Sequence, residues 1–171
     1  MLMEAIADQI FATDKNFPEV SIIMPCLNEA DTLAACIGKA RRALNEQKIA
    51  GEIIVADNGS TDGSQAIATK LGARLINVRE KGYGSALMGG ILAARGKFII
   101  MGDADDSYDF LEIPKFVEKL RDGYDIVQGC RLPAGGGLQR LDRRLPRRPV
   151  GNCTLGVNCR LHLHQPRGAH R

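Results

Sequence analysis

The sequence predicts an α/β fold in which a mainly parallel sheet is covered by helices on both faces. Short, nearly all-apolar runs alternate with segments of helical periodicity from residue 20 to residue 128, and such runs belong to strands buried on both faces. Strands separated each time by a helix-length segment need crossover connections, which is how parallel strands are joined. A polar, glycine-bearing cluster follows each apolar run, and in open parallel sheets ligands bind outside the carboxyl ends of the strands.

The run 20–24 (VSIIM) reads as a first buried strand, stopped by Pro25. Leu33, Ile37, Ala40 and Leu44 then recur at three- and four-residue intervals, which predicts an amphipathic helix over 31–47 with Asn28 or Asp31 as its N-cap. A second strand is expected at 52–56, a helix at 64–71 and a third strand at 74–78. A helix over 85–94 follows, in which Gly89 and Gly90 allow close packing, and then a strand at 98–101. The last pair is a helix over 113–120, with Pro114 tolerated in its first turn, and a strand at 125–128.

At 171 residues the chain suits one domain, and a hydrophobic fraction of 44% beside a charged fraction of 25% fits a soluble globular protein. No apolar run approaches the roughly 18 residues of a membrane span. Residues 1–19 carry Glu4, Asp8 and Asp14 and lack a basic n-region, so they read as an N-terminal extension rather than a signal peptide, and a cytoplasmic location is expected. Five cysteines, an odd count with no CxxC pair, point to reduced thiols. Cys153, Cys159, His162 and His164 fit no zinc spacing. The net charge of +3 hides two different parts: residues 1–139 hold 15 Lys and Arg against 19 Asp and Glu, whereas 140–171 hold 8 Arg and the single acid Asp142.

Five clusters are expected to gather on one edge of the sheet: PCLNEA (25–30), DNGSTDG (57–63), REKGYGSA (79–86), GDADDSYD (102–109) and GCRLPAGGG (129–137). DNGSTDG reads as a turn in which Ser60 or Asp62 caps the next helix, but that leaves Asp57, a carboxylate at a strand end suited to accept from a base or ribose. In KGYGSA, Lys81 and the backbone N–H groups of Gly82 and Gly84 at a helix start suit a phosphate, and a plain tight turn is the other reading. The chain has neither GxGxxG after its first strand nor a GxxxxGK[ST] loop, which argues against a dinucleotide oxidoreductase and a P-loop NTPase.

The acidic cluster places Asp103, Asp105, Asp106 and Asp109 directly after an apolar run. Carboxylates that close repel one another unless a cation compensates them. In an extended D-x-D, alternate residues point to one side, so Asp103 and Asp105 can share a ligand while Asp106 points away. Mg²⁺ or Mn²⁺ suits such a pair, and a solvated acidic turn is the plainer alternative.

In this order and spacing, Pro25, Asn28-Glu29, VADNGSTDGS, KGYGSALMGGILAARGKFIIMGDADDSYD and DIVQGCR resemble the family 2 glycosyltransferases of GT-A, Rossmann-like nucleotide-sugar-binding fold. The branch most similar is the dolichyl and polyprenyl phosphate sugar synthases, over about residues 20–137. The resemblance implies that Pro25, Asn28 and Glu29 line the nucleotide pocket and that Asp57 binds the base, with Ser60 and Asp62 supporting its loop. It also implies that Asp103 approaches the ribose or sugar, Asp105 holds the metal and Arg131 receives the acceptor phosphate. The implied reaction transfers a sugar, with inversion, from a nucleoside-diphosphate sugar to a lipid phosphate at the cytoplasmic membrane face. Residues 138–171 depart from the family pattern: an Arg-rich segment without periodicity, expected to be disordered, so that the fold reads as incomplete at a truncated or frame-shifted C-terminus. A non-catalytic donor-binding remnant and a nucleotidyltransferase are the alternatives for the whole chain, and no specific nucleic-acid partner is expected.

Overall fold

The computed structural model describes residues 17–129, together with the backbone of 138–140 and 155–158. In chain order the strands are β1 (Val20–Cys26), β2 (Gly51–Asp57), β3 (Arg74–Asn77), β4 (Phe98–Met101), β5 (Ile126–Gly129), β6 (Leu138–Arg140) and β7 (Leu155–Asn158). The helices are α1 (Ala30–Glu46), α2 (Ser64–Lys70), α3 (Tyr83–Ala93) and α4 (Ile113–Arg121), the last entered through a 3-10 turn at Phe110–Glu112. The sheet order is β3-β2-β1-β4-β7-β5-β6. β1 pairs in parallel with β2 and β4, and β2 with β3. β7 runs antiparallel between β4 and β5, and β6 antiparallel beside β5. The nine elements expected between residues 20 and 128 are all present, most with ends shifted by one or two residues. Of the Arg-rich segment 138–171, two short stretches are strands of this sheet; the rest, with Arg131, Cys130, Cys153, Cys159, His162 and His164, lies outside the described residues. Among the described residues no helix is long and apolar enough to cross a membrane.

β1 explains why the sheet has two working faces. All seven of its residues are buried, and Val20, Ile22, Met24 and Cys26 belong to the core that Leu33, Cys36, Ile37, Ala40 and Leu44 of α1 complete. Ile23 points the other way, toward α3, where a Cβ on Gly90 would strike its Cγ2 and sit 3.3 Å from Ala56 Cβ. The pair of glycines in α3 therefore lets a helix lie close on that face, as the sequence suggested.

Pro25 does not stop β1, contrary to expectation: it pairs with Ala56 in register. Backbone groups alternate sides along a strand. Ile23 O accepts from Gly102 N on the β4 side and Cys26 O from Asn58 N on the β2 side, so the missing N–H of Pro25 faces the β4 side. There β4 has already ended, its last partner being Ile23 with Met101, so no ladder bond is lost.

Candidate active site

The loop after β1 and the loop after β2 are laced together by side chains. Asn28 N donates to Ser60 Oγ at 2.9 Å, Thr61 N donates to Asn28 Oδ1 at 2.8 Å, Glu29 N donates to Ser64 Oγ at 3.0 Å, and Ala30 N donates to Asp62 Oδ2 at 2.8 Å. Neither Asn28 nor Asp31 caps α1. Its N-cap position is Glu29, which makes no side-chain cap, and the carboxylate that meets the helix start is Asp62, from a loop 32 residues away. An acidic oxygen at a helix N-terminus also meets the positive end of the helix dipole. Asp62 accepts from the Ser64 hydroxyl at 2.6 Å and the Ser64 amide at 3.0 Å, and these bonds hold its carboxyl below the ordinary range. Asn28 takes a positive φ of 59°, one of the conformations its short amide tolerates, to reach Thr61.

Two expected ligand contacts look different in the fold. Pro25 is buried within β1. Asp57 is fully buried and accepts from Gly59 N at 3.0 Å, Ser60 N at 3.1 Å and Gln65 Nε2 at 2.7 Å. Its oxygens thus shape the 57–63 turn and meet the Gln65 amide at the start of α2. Ser60 and Asp62, expected to support this loop, make the contacts just described.

The KGYG segment is anchored by a residue that sequence reasoning passed over. Asn58, 4% exposed, donates from Nδ2 to Val78 O at 3.1 Å and Glu80 O at 2.7 Å, and its Oδ1 accepts from Gly82 N at 2.8 Å. The Gly82 amide, expected to face a phosphate, is therefore spent on Asn58. Lys81 Nζ donates to Asn58 O at 2.7 Å, which places its ammonium over the neighbouring turn with further N–H donors in hand.

In the acidic loop each carboxylate has its own partner. Asp103 Oδ1 accepts from the Tyr83 hydroxyl at 2.8 Å. Asp105, exposed, accepts from Ser107 N at 2.9 Å. Asp106, at a φ of 58°, pairs with Lys39 Nζ at 2.8 Å. Asp109 accepts from Leu111 N at 3.1 Å and caps the 3-10 turn. The loop is docked on one stripe of α1: Thr32 Oγ1 donates to Ala104 O at 2.7 Å, Cys36 Sγ to the same oxygen at 3.4 Å, and Lys39 reaches Asp106. Residues 32, 36 and 39 are four and three apart, the spacing of one helical face, and a polar stripe at that spacing was the signal available in the sequence.

Cys26 and Cys36 are buried free thiols. Burial pushes the Cys36 thiol up to about 11 and raises Cys26 as well, which disfavours the thiolate form of both. The donor set of Asp103 and Asp105 suits a hard divalent ion, since Mg²⁺ and Mn²⁺ take one or two carboxylates and complete their shell with water and substrate phosphate oxygens. Among the described residues no group of three or more His, Cys, Asp and Glu side chains is placed to hold a metal ion. Arg131 lies outside the described residues.

The carboxyl edge of the sheet thus gathers the acidic D-x-D sequence and two interlaced polar loops beside helix starts. The family Glycosyl transferase family 2 matches residues 21–165, running past residue 137, and the chain belongs to that family. It is 44% identical over 116 residues to the low-salt glycan biosynthesis hexosyltransferase Agl6 of Haloferax volcanii, covering 67% of this chain and 28% of that protein. It is 32% identical over 132 residues to the dolichyl-phosphate hexose transferase of the same organism, covering 77% and 56%. Among solved structures it is similar to glucosyl-3-phosphoglycerate synthase from Mycobacterium tuberculosis in complex with Mn²⁺, UDP and phosphoglyceric acid, with a TM-score of 0.53 and 29% identity over 65% of this chain and 42% of that one. The chain thus spans between 28% and 56% of the length of these two curated relatives.

Proposed function

We propose that this chain carries the donor site of a hexosyltransferase: it binds a nucleoside-diphosphate sugar at the carboxyl edge of the sheet and transfers the sugar, with inversion, to a polyprenyl or dolichyl phosphate. The observation that carries the reading is the acidic loop, in which Asp105 is exposed between a tethered Asp103 and an ion-paired Asp106. The Mn²⁺ and UDP in the related synthase and the lipid-phosphate acceptor of the related hexose transferase support it.

In this reading Asn28, Glu29, Ser60 and Asp62 wall the nucleotide pocket, and Asp57 accepts from the base in place of Gln65. Lys81 faces the diphosphate, Asp103 approaches the ribose or sugar, and Asp105, with Asp103, holds Mg²⁺ or Mn²⁺. When bound, that ion would offset the negative charge that grows on the departing diphosphate. A phosphate acceptor is already ionised near neutral pH, so its oxygen needs no strong general base from the protein. Arg131 is the residue proposed to receive that phosphate.

The test is calorimetric titration of the full chain with UDP and with GDP, with and without Mn²⁺, beside Asp105→Asn. Metal-dependent binding that weakens at least about tenfold in the variant is expected, because the substitution removes one charged ligand. A folded chain that binds neither nucleotide sinks the proposal. Binding without transfer to a polyprenyl phosphate would leave the donor-binding reading without the transferase.

A further inference from the structure

Building on the proposed donor site, we propose that Tyr83 is a positioning residue for Asp103: its neutral phenol hydroxyl orients one carboxylate oxygen without cancelling the charge a metal or donor needs. The geometry separates the carboxylates of the acidic loop by the kind of partner each receives. Asp106 is bonded to the Lys39 ammonium at 2.8 Å, an ion pair that offsets its charge and withdraws it from cation binding. Asp103 is bonded at the same distance to Tyr83, a donor with no charge, and its Oδ2 is uncommitted to that bond.

The two tethers come from opposite faces of the sheet. Lys39 lies on α1, which completes the core against Ile22 and Met24, and Tyr83 begins α3, which packs on Ile23. Asp105 sits between the tethered residues in sequence and accepts from the Ser107 amide. The place of Tyr83 is itself fixed, because Asn58 binds Gly82 N and the carbonyls of Val78 and Glu80 just before it. Tyr83 is 61% exposed, so its ring adds little to the core, and its hydroxyl is nevertheless committed to Asp103.

Tyr83→Phe removes the hydroxyl and keeps ring, charge and backbone. Mn²⁺-dependent binding of UDP or GDP should weaken about three- to tenfold, the range for one partly solvated hydrogen bond to a charged acceptor. Binding of the same nucleotide without metal and the thermal midpoint should stay as in the parent chain, which a merely structural role would not produce. Tyr83→Leu should match Tyr83→Phe. Unchanged metal-dependent affinity in Tyr83→Phe, or a loss that appears only in Tyr83→Leu, overturns the proposal, the latter because the ring would then be the working part. If the parent chain binds neither nucleotide, the donor-site reading fails and the positioning is read from the unliganded chain. The ¹³C carboxyl resonance of Asp103 must then move in Tyr83→Phe, and a resonance that stays in place overturns the inference.

Discussion

The two ends of the sheet are both polar, but they use their polar groups differently. At the amino end, Ser21, fully buried, donates to Glu52 Oε1 at 2.7 Å and accepts from Gly96 N at 2.8 Å and Arg95 N at 3.2 Å. Glu52 also accepts from Arg95 N at 2.8 Å and pairs with Arg74 at 2.9 Å, while Arg74 reaches Ala93 O. That network joins β1, β2, β3 and the exit of α3 through bonds among its own members. At the carboxyl end the bonds are more numerous, but they leave Asp105 exposed and give Asp103 an uncharged partner. A closed network stabilises the fold, and one with an unneutralised edge can hold a ligand.

The contrast can be broken most severely at the amino end. A Cβ at Gly96 would lie 2.5 Å from Ser21 N and 2.6 Å from Val20 C, backbone atoms of a central strand that have no room to shift. Gly96→Ala should cost about 3 kcal/mol, the upper part of the range for overpacking a closed interior, read from urea unfolding. Asn58→Ala should follow at about 2 kcal/mol, since it leaves Gly82 N and two carbonyls without their partner. Unlike Gly96→Ala, this variant loosens the KGYG turn directly. Nucleotide affinity measured where the variant is still folded should therefore fall, and unchanged affinity would show that the anchor serves stability alone.

Asp105→Asn sharpens the difference from the other side. Its folding stability should stay within about 0.5 kcal/mol of the parent, the usual effect at an exposed site, while metal-dependent binding falls. The smallest effect belongs to pH. Asp62 has its carboxyl lowered from an ordinary value of 3.8 by Ser64 and by the start of α1, so its contribution is full above that value and disappears as pH falls through the lower folded-state value. The stability difference between the parent and Asp62→Asn, followed by circular dichroism, should therefore be constant near neutral pH and shrink below pH 3.8. A difference that persists in stronger acid would mean that the charge of Asp62 is not what stabilises the start of α1.

The sequence by itself determined the order of the elements from β1 to β5 and the edge on which polar loops collect. Both follow from short-range patterns: apolar runs, helical spacing at Leu33, Ile37, Ala40 and Leu44, and glycine-bearing clusters at strand ends. Only the tertiary structure decided which group in each cluster faces which partner. α1 is capped by Asp62 rather than Asn28 or Asp31, Asp57 turns inward to Gln65, and Asp106 is taken by Lys39 across 67 residues of chain. The bonds of Asp62 and Asp106 join segments 32 and 67 residues apart that the sheet brings side by side, so no local spacing encodes them. The place of β7 between β4 and β5 has the same origin, because an antiparallel ladder is closed by backbone groups that every residue except proline carries in full.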